Sequence, residues 1–313
     1  SIGLAEVNSH AETPAAVMSA ADVACYSAKD SGRNRVQTYR QGRGPERHRE
    51  MQWVSRINRA CDEDRLELMC QPIVPIRAGV DPIRHFELLL RMRDEQGQLV
   101  QPAEFIPAAE RFNLMPMIDR WVVRQACRLA HRNGDASREP YMLAVNISST
   151  TLNDEQFLDF VVAELARADL APGALCFELT EAAAMTSLAA ATHFIHELRQ
   201  RGCRFSLDDF GSGLSSFIFL KSLPVDFLKI DGQFMHNVTR DEIDRSMVEA
   251  IAQIGASMNI RTVAERVDSA EVLSRLAEIG IQYAQGHYIG APQPVEVLAS
   301  LVAIDQAELR RLA

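Results

Sequence analysis

Asp208 and Asp209 stand side by side after the short run RFSL, and the loop beyond them carries Gly211 and Gly213. Adjacent carboxylates repel, and successive side chains of a strand point to opposite faces. Both can therefore serve one site only where the strand ends and its backbone turns. A cation makes that arrangement favourable, although a solvated strand end with a glycine turn is an equally ordinary source of the same letters. Similar groups recur elsewhere: Glu87 and Arg91 in HFELLLRM, Asn146 in YMLAVNIS, Glu178 and Glu181 in LCFELTE, and Lys229 and Asp231 in FLKID. Glu265 and Asp268 follow in and just after IRTVAERV, and Gln285 lies in IQYAQGHYIG. Oxygen ligands in that number suit hard cations such as Mg2+ or Mn2+, which neutralise carboxylates that would otherwise raise each other's pKa. Zinc prefers nitrogen and sulfur, and no His and Cys set is clustered.

Taken singly, each residue has a plain alternative. Glu87 and Arg91 can be a strand-end ion pair, Asn146 a turn residue, and Lys229 a side chain snorkelling past apolar neighbours. Glu181 can cap a following helix, and Gln285 can satisfy loop backbone groups. Recurrence at the end of run after run is what favours a shared site.

The elements that must position these groups are eight short apolar runs, beginning with LELMCQPIVPI at Leu66 and ending with IQYAQGHYIG. Between them lie stretches such as NDEQFLDFVVAELARA and DEIDRSMVEAIAQIGASM, with apolar residues at helical spacing. That alternation predicts an α/β fold, a (β/α)8 barrel, with an open doubly wound sheet as the alternative. A barrel places catalytic groups at the C-terminal ends of its strands. Ahead of it, Met51, Val54, Ile57 and Ala60 predict a linker helix within residues 41–64, and residues 1–40 form a strand and helix too small for a domain. The chain opens at Ser1 inside the strand-like run SIGLAEV, so its N-terminus is expected to be a cut through a longer protein.

Composition narrows the class. The 313 residues are 47% hydrophobic and 24% charged, as in ordinary globular proteins. Lys and Arg number 33 against 42 Asp and Glu, a formal charge of −9, with no basic run to track duplex nucleic acid. No apolar stretch approaches the roughly 20 residues that span a bilayer, and no signal-peptide pattern is present, so a soluble, cytoplasmic piece is expected. A missing upstream region remains a place for a membrane anchor. The six cysteines form no CxxC pair and read as buried apolar residues in a reducing compartment.

From about Leu66 onward the chain resembles the EAL family of cyclic di-GMP phosphodiesterases, through QPIV, ELLLR, PAEFIPAAER, VNIS, FELTE, DDFGSGLSS, LPVDFLKID, AER and QGHYIGAP. Residues 1–40, ending ADVACYSAKDSGRNRV, are similar to the tail of a GGDEF diguanylate cyclase domain without its signature loop. The resemblance implies a TIM-type barrel with one antiparallel strand over residues 65–313, hydrolysis of cyclic di-GMP to linear pGpG, and two divalent cations. Glu87, Asn146, Glu178 and Asp208 would hold the first cation. Asp208 would bridge to a second, completed by Asp209 and Glu265. The catalytic assignment is Lys229, Glu265 and Glu87, with Lys229 orienting the attacking water. Gln71 and Arg91 fall where the family meets guanine and phosphate groups, and Asp231 and Gln285 join them in substrate binding. Glu181 would pin the loop carrying Gly211 and Gly213, Asp268 would support the cluster from outside, and a homodimer would form through that loop.

Departures from the family pattern are specific. Leu88 replaces an alanine, His85 and Asn113 replace glycines, two extra residues lie between Gln71 and Glu87, and His287 replaces an aromatic residue. Arg266 replaces a glycine beside Glu265, and Asp268 a glutamate. A bulky cation there either crowds the second metal or adds a phosphate contact. The alternative function is a catalytically silent cyclic di-GMP receptor that signals through the linker helix.

Overall fold

The strands, in chain order, are β1 (Ile2–Leu4), β2 (Val36–Thr38), β3 (Leu66–Pro75), β4 (Arg84–Arg93), β5 (Leu99–Val100) and β6 (Tyr141–Ile147). They continue with β7 (Leu175–Thr180), β8 (Arg204–Phe210), β9 (Phe227–Ile230), β10 (Arg261–Ala264), β11 (Tyr283–Ala284) and β12 (Gln293–Pro294). The structure is a computed structural model that describes residues 1–6, 17, 18, 21, 24, 25, 28, 35–38, 44–77, 84–131, 141–211 and 217–298. Two compact units divide the chain: Ser1–Arg65 with Met92–Leu114, and Leu66–Arg91 with Met115–Ala313.

The larger unit is the expected barrel. Its order is β3-β11-β10-β9-β8-β7-β6-β4, and a β3–β4 pairing closes the ring. Neighbours from β4 through β11 are parallel, whereas β3 runs antiparallel to β11. All eight strands fall on the eight apolar runs, and the open-sheet alternative is excluded by the closure. The two-residue strand β12 adds an antiparallel edge against Met69 and Cys70 of β3.

Alternation along the strands separates an inner face from an outer one. Ile73, Met142, Ala144, Cys176, Phe227, Val263 and Tyr283 form one buried cluster. Five of them lie two residues before Asn146, Glu178, Lys229, Glu265 and Gln285, so the apolar plug and these polar groups share the inner face. The outer face packs on helices: Phe177 and Phe205 meet Phe194 of the helix Leu188–Arg199 edge-on, at centroid distances of 5.8 and 6.0 Å.

β8 carries the paired aspartates near its C-terminal end, as expected. It runs on to Phe210, and its pairing with β9 shifts register between Leu207 and Phe210. Asp209 sits inside that irregularity with a left-handed φ of 54°. The bulge bends the strand and re-aims a side chain. Both aspartates thereby face one mouth without the strand stopping.

In the smaller unit β1 and β2 pair in parallel. The helix Gly44–Asp62 covers most of the expected linker and buries Ile57 and Ala60. Arg56 and Arg59 both reach Glu95, at 3.8 and 3.2 Å.

Candidate active site

Lys229 organises the mouth of the barrel. It is wholly buried on β9, and its Nζ lies 2.8 Å from Glu265 Oε1, 3.0 Å from Glu178 Oε2, 3.2 Å from Glu87 Oε2 and 3.4 Å from Asp208 Oδ1. The snorkelling reading fails because its ammonium meets carboxylates instead of water. Burial alone would lower its pKa, but Asp208, Glu178, Glu265 and Glu87 outweigh that and hold it well above the usual lysine value. Within this ring of carboxylates Lys229 is therefore favoured as a cation and hydrogen-bond donor.

Glu87, on β4, is clasped by three donors. Asn146 Nδ2 donates to Oε1 at 2.7 Å, and Lys229 Nζ and Gln285 Nε2 donate to Oε2, the latter at 2.6 Å. Burial pushes Glu87 up, yet Lys229 and these hydrogen bonds carry its pKa below the usual carboxylate value. Gln285 Nε2 also donates to Gln71 Oε1 at 3.1 Å, and Gln71 Nε2 donates to the Gly290 carbonyl at 2.9 Å. The strand-end pair of Glu87 with Arg91 is replaced by this network. Arg91 is half-buried, its Nη1 donates to the Leu90 carbonyl at 2.8 Å, and burial lowers its pKa against the opposing pull of Glu87.

Asp208, Asp209 and Glu265 each bring a carboxylate oxygen within 4.8 Å of the others. The Asp209 amide donates to Asp208 Oδ1 at 2.9 Å. Burial, then the Asp208 and Asp231 charges, raises Asp209. Burial raises Glu178 well above the carboxylate range, and it pushes Glu265 up to about 8, with Lys229 opposing and nearby carboxylates reinforcing both. These shifts signal crowded negative charge.

Glu181 begins the helix Glu181–Thr186, but the cap is Thr180, whose Oγ1 accepts from the Ala183 amide at 3.2 Å. Glu181 Oε2 instead accepts from the Gly211 amide at 3.1 Å. Gly213 lies outside the described residues. Asp231 Oδ1 accepts from the Gln233 amide at 2.8 Å, capping the turn Gly232–Phe234, while its charge acts on Asp209. Asp268 is exposed, just before the helix Ala270–Ile279 and outside the hydrogen-bonded ring.

The residues fit a pair of hard cations. Fully ionised, the five carboxylates Glu87, Glu178, Asp208, Asp209 and Glu265 set against the one ammonium of Lys229 leave four negative charges, the charge of two divalent ions. Glu178 Oε1 and Gln285 Oε1 are buried without a hydrogen-bond partner. An all-oxygen donor set of this kind is what Mg2+ or Mn2+ takes.

One residue escaped the sequence reading. Asp119, on the helix Met115–His131, is buried, and its Oδ2 accepts from the Ser148 amide at 3.0 Å and hydroxyl at 2.8 Å. It ties down the turn just past Asn146. Its only signal was an acid beside Ile118 on an otherwise apolar helix face. His85 is also buried, with neither ring nitrogen partnered, and burial, then the Lys229 charge, pushes its pKa down to about 3.

Comparison with known proteins agrees with this architecture. The chain is 37% identical over 282 residues to the cyclic di-GMP phosphodiesterase PdeB of Shewanella oneidensis, covering 88% of this chain and 32% of that protein. It is 34% identical over 303 residues to the bifunctional diguanylate cyclase/cyclic di-GMP phosphodiesterase MucR of Pseudomonas aeruginosa, covering 97% of this chain and 44% of MucR. The chain thus spans about a third to under a half of the length of these relatives. A solved structure of the PaMucR phosphodiesterase in complex with c-di-GMP superposes with a TM-score of 0.72 at 34% identity, over 79% of this chain and 99% of that one. The EAL domain model matches residues 54–292, which take in the whole ring from Gln71 to Gln285, and the chain belongs to the EAL family.

Proposed function

We propose that this chain hydrolyses cyclic di-GMP to linear pGpG with two divalent cations, Mg2+ or Mn2+. The observation that carries the reading is the ring of carboxylates around Lys229, with Asp208, Asp209 and Glu265 clustered beside it at the barrel mouth. The relatives named as cyclic di-GMP phosphodiesterases and the c-di-GMP complex of PaMucR support the substrate.

Glu87, Asn146, Glu178 and Asp208 would hold one cation, and Asp208, Asp209 and Glu265 the other. Such a pair supplies an activated nucleophile and charge stabilisation on the attacking and leaving oxygens. Lys229, buried among these carboxylates, offers N–H donors that orient the attacking water. Asn146 and Gln285 fix the two oxygens of Glu87. Gln71 and Arg91 contact guanine and phosphate groups, with Asp231 and Gln285 also facing substrate. Glu181 holds the start of the loop at Gly211, and Asp268 acts from outside the ring.

The same proposal extends to organisation. Residues 1–40 are the tail of a GGDEF domain, 41–64 a linker helix and 65–313 the phosphodiesterase, a division supported by the bifunctional name of MucR. The protein works in the cytoplasm as a homodimer. No helix among the described residues is long and apolar enough to cross a membrane. Its six cysteines are all free, as a reducing compartment would keep them.

Incubation with cyclic di-GMP and Mg2+ or Mn2+, beside Asp208→Ala, tests the reading by ion-exchange analysis of products. Formation of pGpG by the unaltered chain alone is expected. Intact nucleotide that co-migrates with the protein would replace the hydrolase by a receptor.

A further inference from the structure

Arg266 follows Glu265 at the end of β10, and its backbone is left-handed, with φ 51°. A side chain with a Cβ meets a steric cost in that region that glycine does not. The residue is nonetheless given room. A Cβ built on Gly232, just past Asp231 at the end of β9, would collide with Cβ, Cγ and Cδ of Arg266. The aliphatic stem is thus laid on bare backbone, while the residue remains exposed and its positive charge acts on Asp209. A merely solvated surface arginine needs neither the strained backbone nor the facing glycine.

The surroundings restrict what this cation can do. Asp209, Asp231 and Glu265 make the mouth acidic, and an anionic substrate approaching it is repelled wherever that charge is uncompensated. An arginine presents a planar fork of donors matched to phosphate oxygens. We propose that Arg266 is a substrate-contacting residue whose guanidinium binds a phosphate oxygen of the dinucleotide, a contact that the glycine expected at this position would lack. The inference rests on the cyclic di-GMP reading above.

The test compares the unaltered chain with Arg266→Gly and Arg266→Lys. Binding of cyclic di-GMP is measured by equilibrium dialysis in EDTA at several salt concentrations, KM is measured in Mg2+, and Tm serves as a folding control. Arg266→Gly is expected to weaken binding, or raise KM, by about tenfold or more, the range of a lost charged hydrogen bond. The affinity of Arg266→Gly should also depend less steeply on salt, since one screened charge contact is gone. Arg266→Lys should lie between the two, because it keeps charge without the fork. Tm of Arg266→Gly should match or exceed that of the unaltered chain, since glycine relieves the left-handed backbone. Equal affinity, KM and salt slope in Arg266→Gly would overturn the proposal. So would an unchanged KM with a lower Mg2+ requirement, which would make Arg266 a cation that crowds the metal cluster. If the unaltered chain neither binds nor cleaves cyclic di-GMP, the proposed function falls and takes this inference with it. If it does both and Arg266→Gly equals it, this inference alone falls.

Discussion

Lys229 donates to one oxygen of Glu178 at 3.0 Å, while the other oxygen of that carboxylate is buried with no partner. A buried carboxylate oxygen without a donor is costly, and few persist without a reason. A divalent cation held as proposed would supply the missing partner and remove the pressure on Glu178 to keep a proton. Mg2+ or Mn2+ at about 100 times its dissociation constant should therefore stabilise the fold by about 2.7 kcal/mol. Differential scanning fluorimetry across a cation titration reads this as a rising Tm. A flat curve for both ions into the millimolar range would remove the metal site.

Lys229→Met takes away the one cation inside a ring of four carboxylates. Breaking a buried ion pair from one side costs about 3–5 kcal/mol, because the partner charge is stranded. Urea unfolding of the cation-free variant should show a loss of that order at pH 8. The loss should shrink at pH 5, where the ring can take up protons, and Mn2+ should recover part of it. On the proposed role of Lys229 in orienting the attacking water, turnover should be absent even when Mn2+ restores the fold. Wild-type stability without cations would show that the ring does not depend on Lys229.

The barrel was legible because its strands are buried on both faces and read as unbroken apolar runs bounded by polar ends. The convergence of Glu87, Asn146, Glu178, Asp208, Glu265 and Gln285 was legible for a related reason, since each is a polar group within or at the end of such a run. The bulge at Asp209 was not legible: a left-handed aspartate leaves no mark beyond the neighbouring glycine. β5 and β12 span two residues each, too short for any period to show. Taken alone, Lys229 also read as an ordinary amphipathic side chain, because its four partners lie 21 to 142 positions away in sequence, from Asp208 to Glu87. Asp119 was hidden by the helix that carries it, whose apolar spacing is satisfied by Ile118, Val122 and Ala126.

Glu181 and Gly211 are joined by a hydrogen bond of 3.1 Å that links the start of the helix after β7 to the backbone just past Asp208 and Asp209. Glu181→Ala leaves the Gly211 amide without its acceptor, a loss of about 1–3 kcal/mol wherever water cannot replace it. The aspartates would then be held less firmly. The expected signature is a higher Mg2+ or Mn2+ concentration at half-maximal Tm shift, with far-UV circular dichroism unchanged. Glu181→Gln retains an acceptor oxygen and should lie nearer the unaltered chain. An identical cation titration for Glu181→Ala would confine this bond to loop packing.

Asp119 gives the fold a pH dependence that can be isolated. Burial raises its pKa from 3.8 to about 6, with the Thr151 and Ser148 hydrogen bonds opposing. Because the folded value lies above the unfolded one, its contribution is fully present below about pH 4 and is lost as pH rises through about 6. By linkage the loss is about 3 kcal/mol. Asp119→Asn cannot ionise, and its amide oxygen can still accept from Ser148. The stability of Asp119→Asn relative to the unaltered chain should therefore improve by that order between pH 4 and pH 8, measured by urea unfolding at each pH. Other titrating groups are common to both chains and cancel in the difference. A pH-independent difference would mean that Asp119 ionises in the fold as it does in the unfolded chain. Cation titrations of the two chains at pH 8 add a functional readout. An Asn146 held in place through Ser148 should give them the same midpoint, and a shifted midpoint in Asp119→Asn would show that the negative charge of Asp119 is itself felt at the site.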